Sequence, residues 1–163
     1  MSPIISLFVK NGNRHEAELE CGIKSGVKSG IKRKMREIPQ ILRETRTIAI
    51  VGLSANPARP SYGVAQYLMP HFQIIPVNPQ YSEVLGLKCY PDLASVPGKI
   101  DMVNLFQRSE NVMPFVMPSI SLNITCFWMQ QGIWQAEARS ALEAVGIDVV
   151  ENKCTKIEHA RLV

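Results

Sequence analysis

No stretch of this 163-residue chain approaches the run of about 20 apolar residues that a membrane-spanning helix needs. The apolar opening, residues 1–9, has no basic residues ahead of it and no clear small-residue cleavage site behind it. It is therefore not read as a secretory signal. Histidine is scarce, with His15, His71 and His159 the three present. The four cysteines, Cys21, Cys89, Cys126 and Cys154, include no pair at the short spacing of a zinc or redox motif. Cys126 lies in an apolar run and is expected in the core, and reduced thiols in a cytoplasmic protein are the expectation for all four. Charged residues make up only 20% of the chain, and their distribution decides what the excess of basic groups means. Of the 18 basic and 14 acidic residues, seven and three lie within residues 1–34, which leaves eleven of each in the remainder. The net charge of +4 thus belongs to the first segment. A basic stripe through the folded part, as nucleic-acid binding requires, is missing.

What is present divides at residue 35. Before it, Gly22, Gly26 and Gly30 each precede an apolar residue and a lysine, a period of four. Glycine at that density opposes a helix. The phosphate-binding P-loop needs Gly-Lys-Ser/Thr in direct succession, and these repeats interrupt it. Residues 1–34 read as a flexible basic leader, dispensable or the product of a misassigned start. Residues 35–163 read as one domain.

Within that domain hydrophobic periodicity predicts alternating strands and helices. A short helix over 38–44 precedes a β-branched strand over 47–52. A loop rich in Pro, Asn and Ser leads to a helix capped by Ser61 and running to about residue 69. Strands follow at 73–77, where Pro76 marks an end or a bend, at 88–90, at 101–106, at 124–129 and at 147–150. A helical turn is expected at Asp92. A helix over 111–120 contains Pro114 and Pro118, which work against it. A clear helix over 135–145 closes at Gly146. Strands alternating with helices imply crossover connections, and so an α/β, Rossmann-like domain: a mostly parallel sheet of five or six strands covered by helices on both faces.

Ligands of such sheets bind beyond the strand C-termini, near the point where strand order reverses. Gly52 lets the chain turn sharply out of the first strand. Ser54, Asn56, Arg59, Ser61 and Tyr62 then gather polar groups ahead of a helix N-terminus, where an anion is favoured; a plain helix cap beside a solvated arginine is the alternative. A standard dinucleotide site needs Gly-x-Gly-x-x-Gly and an acidic residue at the end of the second strand. Here the loop has Gly52 and the distant Gly63, and the second strand ends in Asn78. Both departures count against NAD and leave room for another phosphate-bearing adenine nucleotide.

Six pieces stand in a recognisable order: Gly52-Leu-Ser54, Arg59-Pro-Ser-Tyr62, Pro76-Val-Asn-Pro79, Val103-Asn-Leu-Phe106, Trp128-Met-Gln130-Gln-Gly132, and Cys154-x-Lys156-x-Glu158-His159. From about residue 35 onward the chain resembles the small CoA-binding domain proteins, and with them the CoA-binding domain of the succinyl-CoA ligase α subunit. The resemblance implies coenzyme A or an acyl-CoA as ligand. It places the pyrophosphate at Gly52, Ser54, Arg59, Ser61 and Tyr62. It sets Asn78 and Pro79 beside the adenosine, with Phe106 and Arg108 on the other side. Gln107 stands where that family commonly has Arg, so Arg108 is expected to substitute for it. Gln130, just past a strand end, is placed for a ligand. The α-subunit relatives catalyse with a phosphorylated histidine in a second domain, which this chain is too short to hold. No catalytic residue is assigned. Cys154 and His159 read as a nucleophile–base pair, as two metal ligands, or as packing of the tail. Three functions remain: a non-catalytic CoA holder, an acyl-CoA enzyme using Cys154 or His159, and an NAD(P)-binding redox sensor.

Overall fold

A computed structural model describes residues 34–163. The period-four glycine segment, His15, Cys21 and the expectations about the leader lie outside the described residues. The order of elements is α1 (Ile38–Glu44), β1 (Thr47–Val51), α2 (Pro60–Leu68), β2 (Gln73–Val77), β3 (Glu83–Val84), β4 (Leu87–Lys88), β5 (Met102–Leu105), α3 (Val116–Ser121), β6 (Cys126–Met129), α4 (Ala136–Ala144), β7 (Asp148–Val150) and α5 (Thr155–Ala160).

The apolar runs become a five-stranded, wholly parallel sheet in the order β2-β1-β5-β6-β7. The α/β Rossmann-like reading therefore holds, with five strands in the main sheet and β3–β4 as a separate antiparallel hairpin. Alternation of side chains along each strand divides the core into two layers. Ala49, Val51, Val103, Leu105, Phe127 and Met129 face the layer completed by Val116 of α3 and by Ala138 and Leu142 of α4. Ile48, Ile50, Met102, Cys126 and Trp128 face the layer completed by Ile41, Leu42, Val64, Ala65 and Leu68 of α1 and α2. Trp128 is fully buried, and its indole N–H donates to the Lys153 carbonyl at 2.7 Å.

Two ionic pins hold the end of the sheet opposite the strand C-termini. Asp101 accepts from the Arg46 and Thr47 N–H groups at 3.0 and 3.1 Å and pairs with Lys99 at 2.9 Å. The Arg36 guanidinium bonds Asp148 and Glu44 and donates to the Thr125 carbonyl at 3.1 Å.

The structure departs from the sequence reading at five places. Pro76 does not end its strand: β2 is an edge strand, and the Pro76 carbonyl accepts from the Tyr90 N–H on the outer side, where the missing proline donor costs nothing. The strand expected over 88–90 divides, with Lys88 in the hairpin and Tyr90 in one isolated parallel bridge to Val77. Pro114 and Pro118 reduce the helix over 111–120 to two 3₁₀ turns and a six-residue α3. Ser61 does not cap α2. The helix begins at Pro60 with Arg59 at the cap position, and the Ser61 hydroxyl instead accepts from the Ser54 N–H at 3.1 Å. The tail after residue 154 forms α5, which packs on α1 and α2.

Candidate functional site

The chain starts the sheet at β1, adds β2 on one side, and crosses back to add β5 on the other. The loops after β1 and β5 therefore diverge over a crevice at the switch point. Gly52 makes that junction. Its φ is +81°, and a Cβ there would lie 2.3 Å from the Phe106 carbonyl oxygen. Glycine is thus required both for the turn and for the close approach of the two loops.

Between these loops lies a cleft of about 660 Å³, within the range of small-molecule and cofactor sites. Of the ten predicted site residues, Gly52, Ser54, Arg59, Ser61, Asn78, Phe106, Arg108 and Gln130 line it, whereas Tyr62 and Pro79 do not. Tyr62 lies in the first turn of α2, and its N–H donates to the Arg59 carbonyl. Asn56, Pro60, Val64, Gln80, Tyr81, Gln107, Gln131, Ile133 and Cys154 also line the cleft. Gln80 and Tyr81 follow the Asn78-Pro79 turn, and only the turn itself carried a sequence signal.

The lining holds two cationic side chains, Arg59 and Arg108, and no aspartate or glutamate. Arg108 makes a long, exposed contact of 4.0 Å with Glu110. The Arg59 side chain is exposed and has no protein partner among the described residues. A loop leading into a helix N-terminus attracts an anion through free backbone N–H groups, and here several of them are taken. The N–H groups of Ser54, Asn56 and Ala58 are already satisfied by Ser61 Oγ, Ser54 Oγ and Asn56 Oδ1. Those bonds make the loop rigid, and the attraction for an anion falls chiefly on Arg59.

Two predicted ligand-facing amides serve partly as struts. Asn78 donates from Nδ2 to the Leu53 carbonyl at 3.0 Å and accepts the Gln80 N–H at 3.0 Å, tying the β2 loop to the β1 loop. Gln130 is buried and donates from Nε2 to Asn104 Oδ1 at 2.7 Å and to Thr155 Oγ1. Asn104, an amide inside an otherwise apolar strand, is fully buried and keeps its Nδ2 without a partner. That mid-strand amide was visible in the sequence as a polar break in the run from Met102 to Leu105.

Cys154 and His159 lie in different places. Cys154 is half-buried at the cleft. His159 is buried at another hollow, among the rings of Tyr67, His71 and Phe72, with Nδ1 3.2 Å from the Tyr67 hydroxyl. Burial, then the neighbouring His71, holds its pKa below the ordinary histidine value. No hydrogen bond joins Cys154 to His159, and among the described residues no cluster of three or more His, Cys, Asp or Glu is placed to hold a metal ion. No helix of the described residues is long and apolar enough to cross a membrane.

A doubly wound parallel domain with a cationic cleft at its switch point defines a broad class of Rossmann-like proteins. Residues 46–160 match the CoA binding domain family, and the chain belongs to it. An uncharacterized protein of Bacillus subtilis, YneT, is 38% identical over 125 residues, covering 76% of this chain and 93% of that one. A hypothetical protein from Pyrococcus horikoshii OT3 superposes with a TM-score of 0.74 at 38% identity, covering 77% of this chain and 89% of that one. An ADP-forming acetate–CoA ligase of Archaeoglobus fulgidus is 29% identical over 75 residues, 44% of this chain and 11% of the ligase.

Proposed function

We propose that this chain binds coenzyme A or an acyl-CoA in the switch-point cleft and holds it without chemical turnover. The observation that carries the reading is an unpartnered Arg59 beside the glycine turn of β1, in a cleft whose lining includes no acidic side chain. A guanidinium recognises a phosphate by paired, charge-assisted hydrogen bonds, and CoA carries its phosphates on the adenosine half. Membership of the CoA binding domain family supports the same ligand. Ser54 and Ser61 brace the loop, Asn78 fixes the spacing of the β2 loop, and Arg108 adds the second positive group. The rest of the cleft, through Val64, Tyr81, Phe106 and Ile133, offers apolar surface to the uncharged part of the ligand.

Two observations favour a holder over an enzyme. Cys154 has no base hydrogen-bonded to it, and His159 sits in a separate hollow. The β2 loop carries no acidic residue for a ribose, so NAD(P) is disfavoured. The free thiols Cys89, Cys126 and Cys154 accord with a cytoplasmic setting. Calorimetry with CoA, acetyl-CoA and NADH tests the reading. The expected result is saturable CoA binding that is tighter than NADH binding and is kept in C154A, with acetyl-CoA recovered intact. Tighter binding of NADH, or acetyl-CoA turnover lost in C154A, overturns it.

A further inference from the structure

At the end of the sheet opposite the cleft, the chain builds a second concave surface, a hollow of about 410 Å³. Arg43, in the last turn of α1, and Arg46, just before β1, supply two guanidinium groups. His71, after α2, and His159, on α5, supply two imidazoles whose ring centres are 4.5 Å apart. Neither guanidinium has a protein partner among the described residues. His159 gives Nδ1 to the Tyr67 hydroxyl, which leaves Nε2 without a protein partner. No aspartate or glutamate side chain lines the hollow; the one acidic group at its rim is the α-carboxylate of Val163, which makes no ion pair with the arginines or the histidines. The nearest acids are engaged elsewhere: Asp101 with Lys99 and two backbone N–H groups, Glu158 with Lys153 and Arg161, Glu44 with Arg36.

The two guanidinium groups, from α1 and the turn before β1, repel one another, and the imidazole of His159 on α5 adds to that repulsion once protonated, so a further negative charge is favoured among them. We infer that this hollow binds a small divalent oxyanion, a free phosphate or the phosphate of a compact ester, between the two arginines and the histidine pair. The site is separate from the switch-point cleft and does not depend on what that cleft binds. Arginine provides the paired donors such an oxyanion takes, and the imidazoles provide a proton-dependent contribution. Burial and the proximity of His71 keep His159 uncharged near neutrality. A bound dianion reverses that balance and draws a proton onto the imidazole. Affinity therefore rises as pH falls from 7.5 towards 5.5. The groups that face the imidazole pair are Tyr67, Lys156 over the Tyr67 ring, Arg43, Arg46 and the α-carboxylate of Val163. An imidazole is the side chain whose ordinary pKa falls in that interval, so His159 accounts for the pH dependence.

Sulfate is the probe, because it stays divalent throughout this range whereas phosphate does not. The full chain, labelled for histidine side-chain NMR, is titrated with sodium sulfate against sodium chloride at matched ionic strength, in the wild type, R43Q/R46Q and R59Q. The proposal predicts a saturable upward shift of the His159 titration in the wild type and in R59Q. It predicts binding about tenfold weaker or worse in R43Q/R46Q, and about tenfold tighter at pH 5.5 than at 7.5. Circular dichroism confirms the fold of the double variant, whose two side chains are exposed. A His159 titration unmoved by sulfate, moved equally in R43Q/R46Q, or lost in R59Q instead, overturns the assignment. The same titration repeated with glycerol phosphate separates a free anion from an ester: a response to both supports the broader class, and a response to neither overturns it.

Discussion

Replacing Gly52 by alanine tests the geometry on which the cleft is built. Two costs add. The residue has φ of +81°, a left-handed conformation that costs a non-glycine residue about 1–2 kcal/mol. The new Cβ would also stand 2.3 Å from the Phe106 carbonyl oxygen, about 1 Å inside the ordinary contact distance of 3.4 Å. Backbone lies on both sides of that contact, so neither loop yields by a rotamer change, and overpacking of this kind costs about 1–3 kcal/mol. G52A is expected to lose about 2–5 kcal/mol in urea unfolding. At about 2–4 °C per kcal/mol for a chain of this size, its Tm falls by roughly 4–20 °C. CoA binding should weaken as well, because the β1 and β5 loops must separate. Gly63 is the internal control. It lies within α2 with nothing within 4 Å of its absent Cβ, so G63A gains up to about 1 kcal/mol of helix propensity. Opposite signs at two glycines eleven positions apart are the prediction. A G52A protein within 0.5 kcal/mol of the wild type, or a G63A protein as damaged as G52A, refutes the reasoning.

Three further outcomes follow from the same structure. D101N removes the carboxylate that receives Lys99 and the N–H groups of Arg46 and Thr47, and should cost about 1–3 kcal/mol in urea at pH 7. Burial opposes ionisation of Asp101, but Lys99 and the two N–H donors outweigh it and hold its pKa below the ordinary carboxylate value. The folded value lies below the unfolded one, so this stabilisation is complete above the ordinary carboxylate range. It is lost as pH falls through the folded value, and the gap between D101N and the wild type should close in strong acid. Iodoacetamide should label Cys154 before Cys89 and Cys126, which are buried with thiols made less acidic by burial. CoA at ten times its Kd should slow that labelling about tenfold, as read by peptide mass spectrometry; labelling indifferent to CoA counts against the cleft. Q130L deprives Asn104 Oδ1 and Thr155 Oγ1 of their donor and should lower urea stability by about 1–3 kcal/mol. An unchanged midpoint would remove the buried amide from the account.

The parallel sheet was legible because its strands are short, mostly apolar runs bounded by turns, β-branched in β1, β2 and β7, and because burial on both faces leaves little ambiguity of period. Gly52 and Arg59 were legible for the same reason: they stand at the end of a clear strand and the start of a clear helix. Less of the region around them could be read. The role of Ser61 depends on where α2 begins. Pro60 moves that start by one residue and turns an expected cap into a strut for Ser54. Asn78 and Gln130 are polar residues at strand ends, the usual mark of a ligand contact. Both line the cleft, and tertiary packing also gives each an internal partner that no local pattern marks, Leu53 for one and Asn104 for the other. Cys154 and His159 looked like a pair because they are five residues apart. Their separation into two hollows became visible only once α5 was seen to pack across α1 and α2. The hollow around His159 draws on residues from 42 to 163, and no local pattern announces such an assembly.

Calorimetric titration of CoA into the wild type and R59Q at low and moderate salt tests the central claim most directly. A guanidinium on a phosphate contributes about 1.5–3 kcal/mol, so R59Q should bind CoA about 10–150-fold more weakly, with a shallower dependence on salt. Equal affinities in the two proteins, or no heat from the wild type at millimolar CoA, would contradict it.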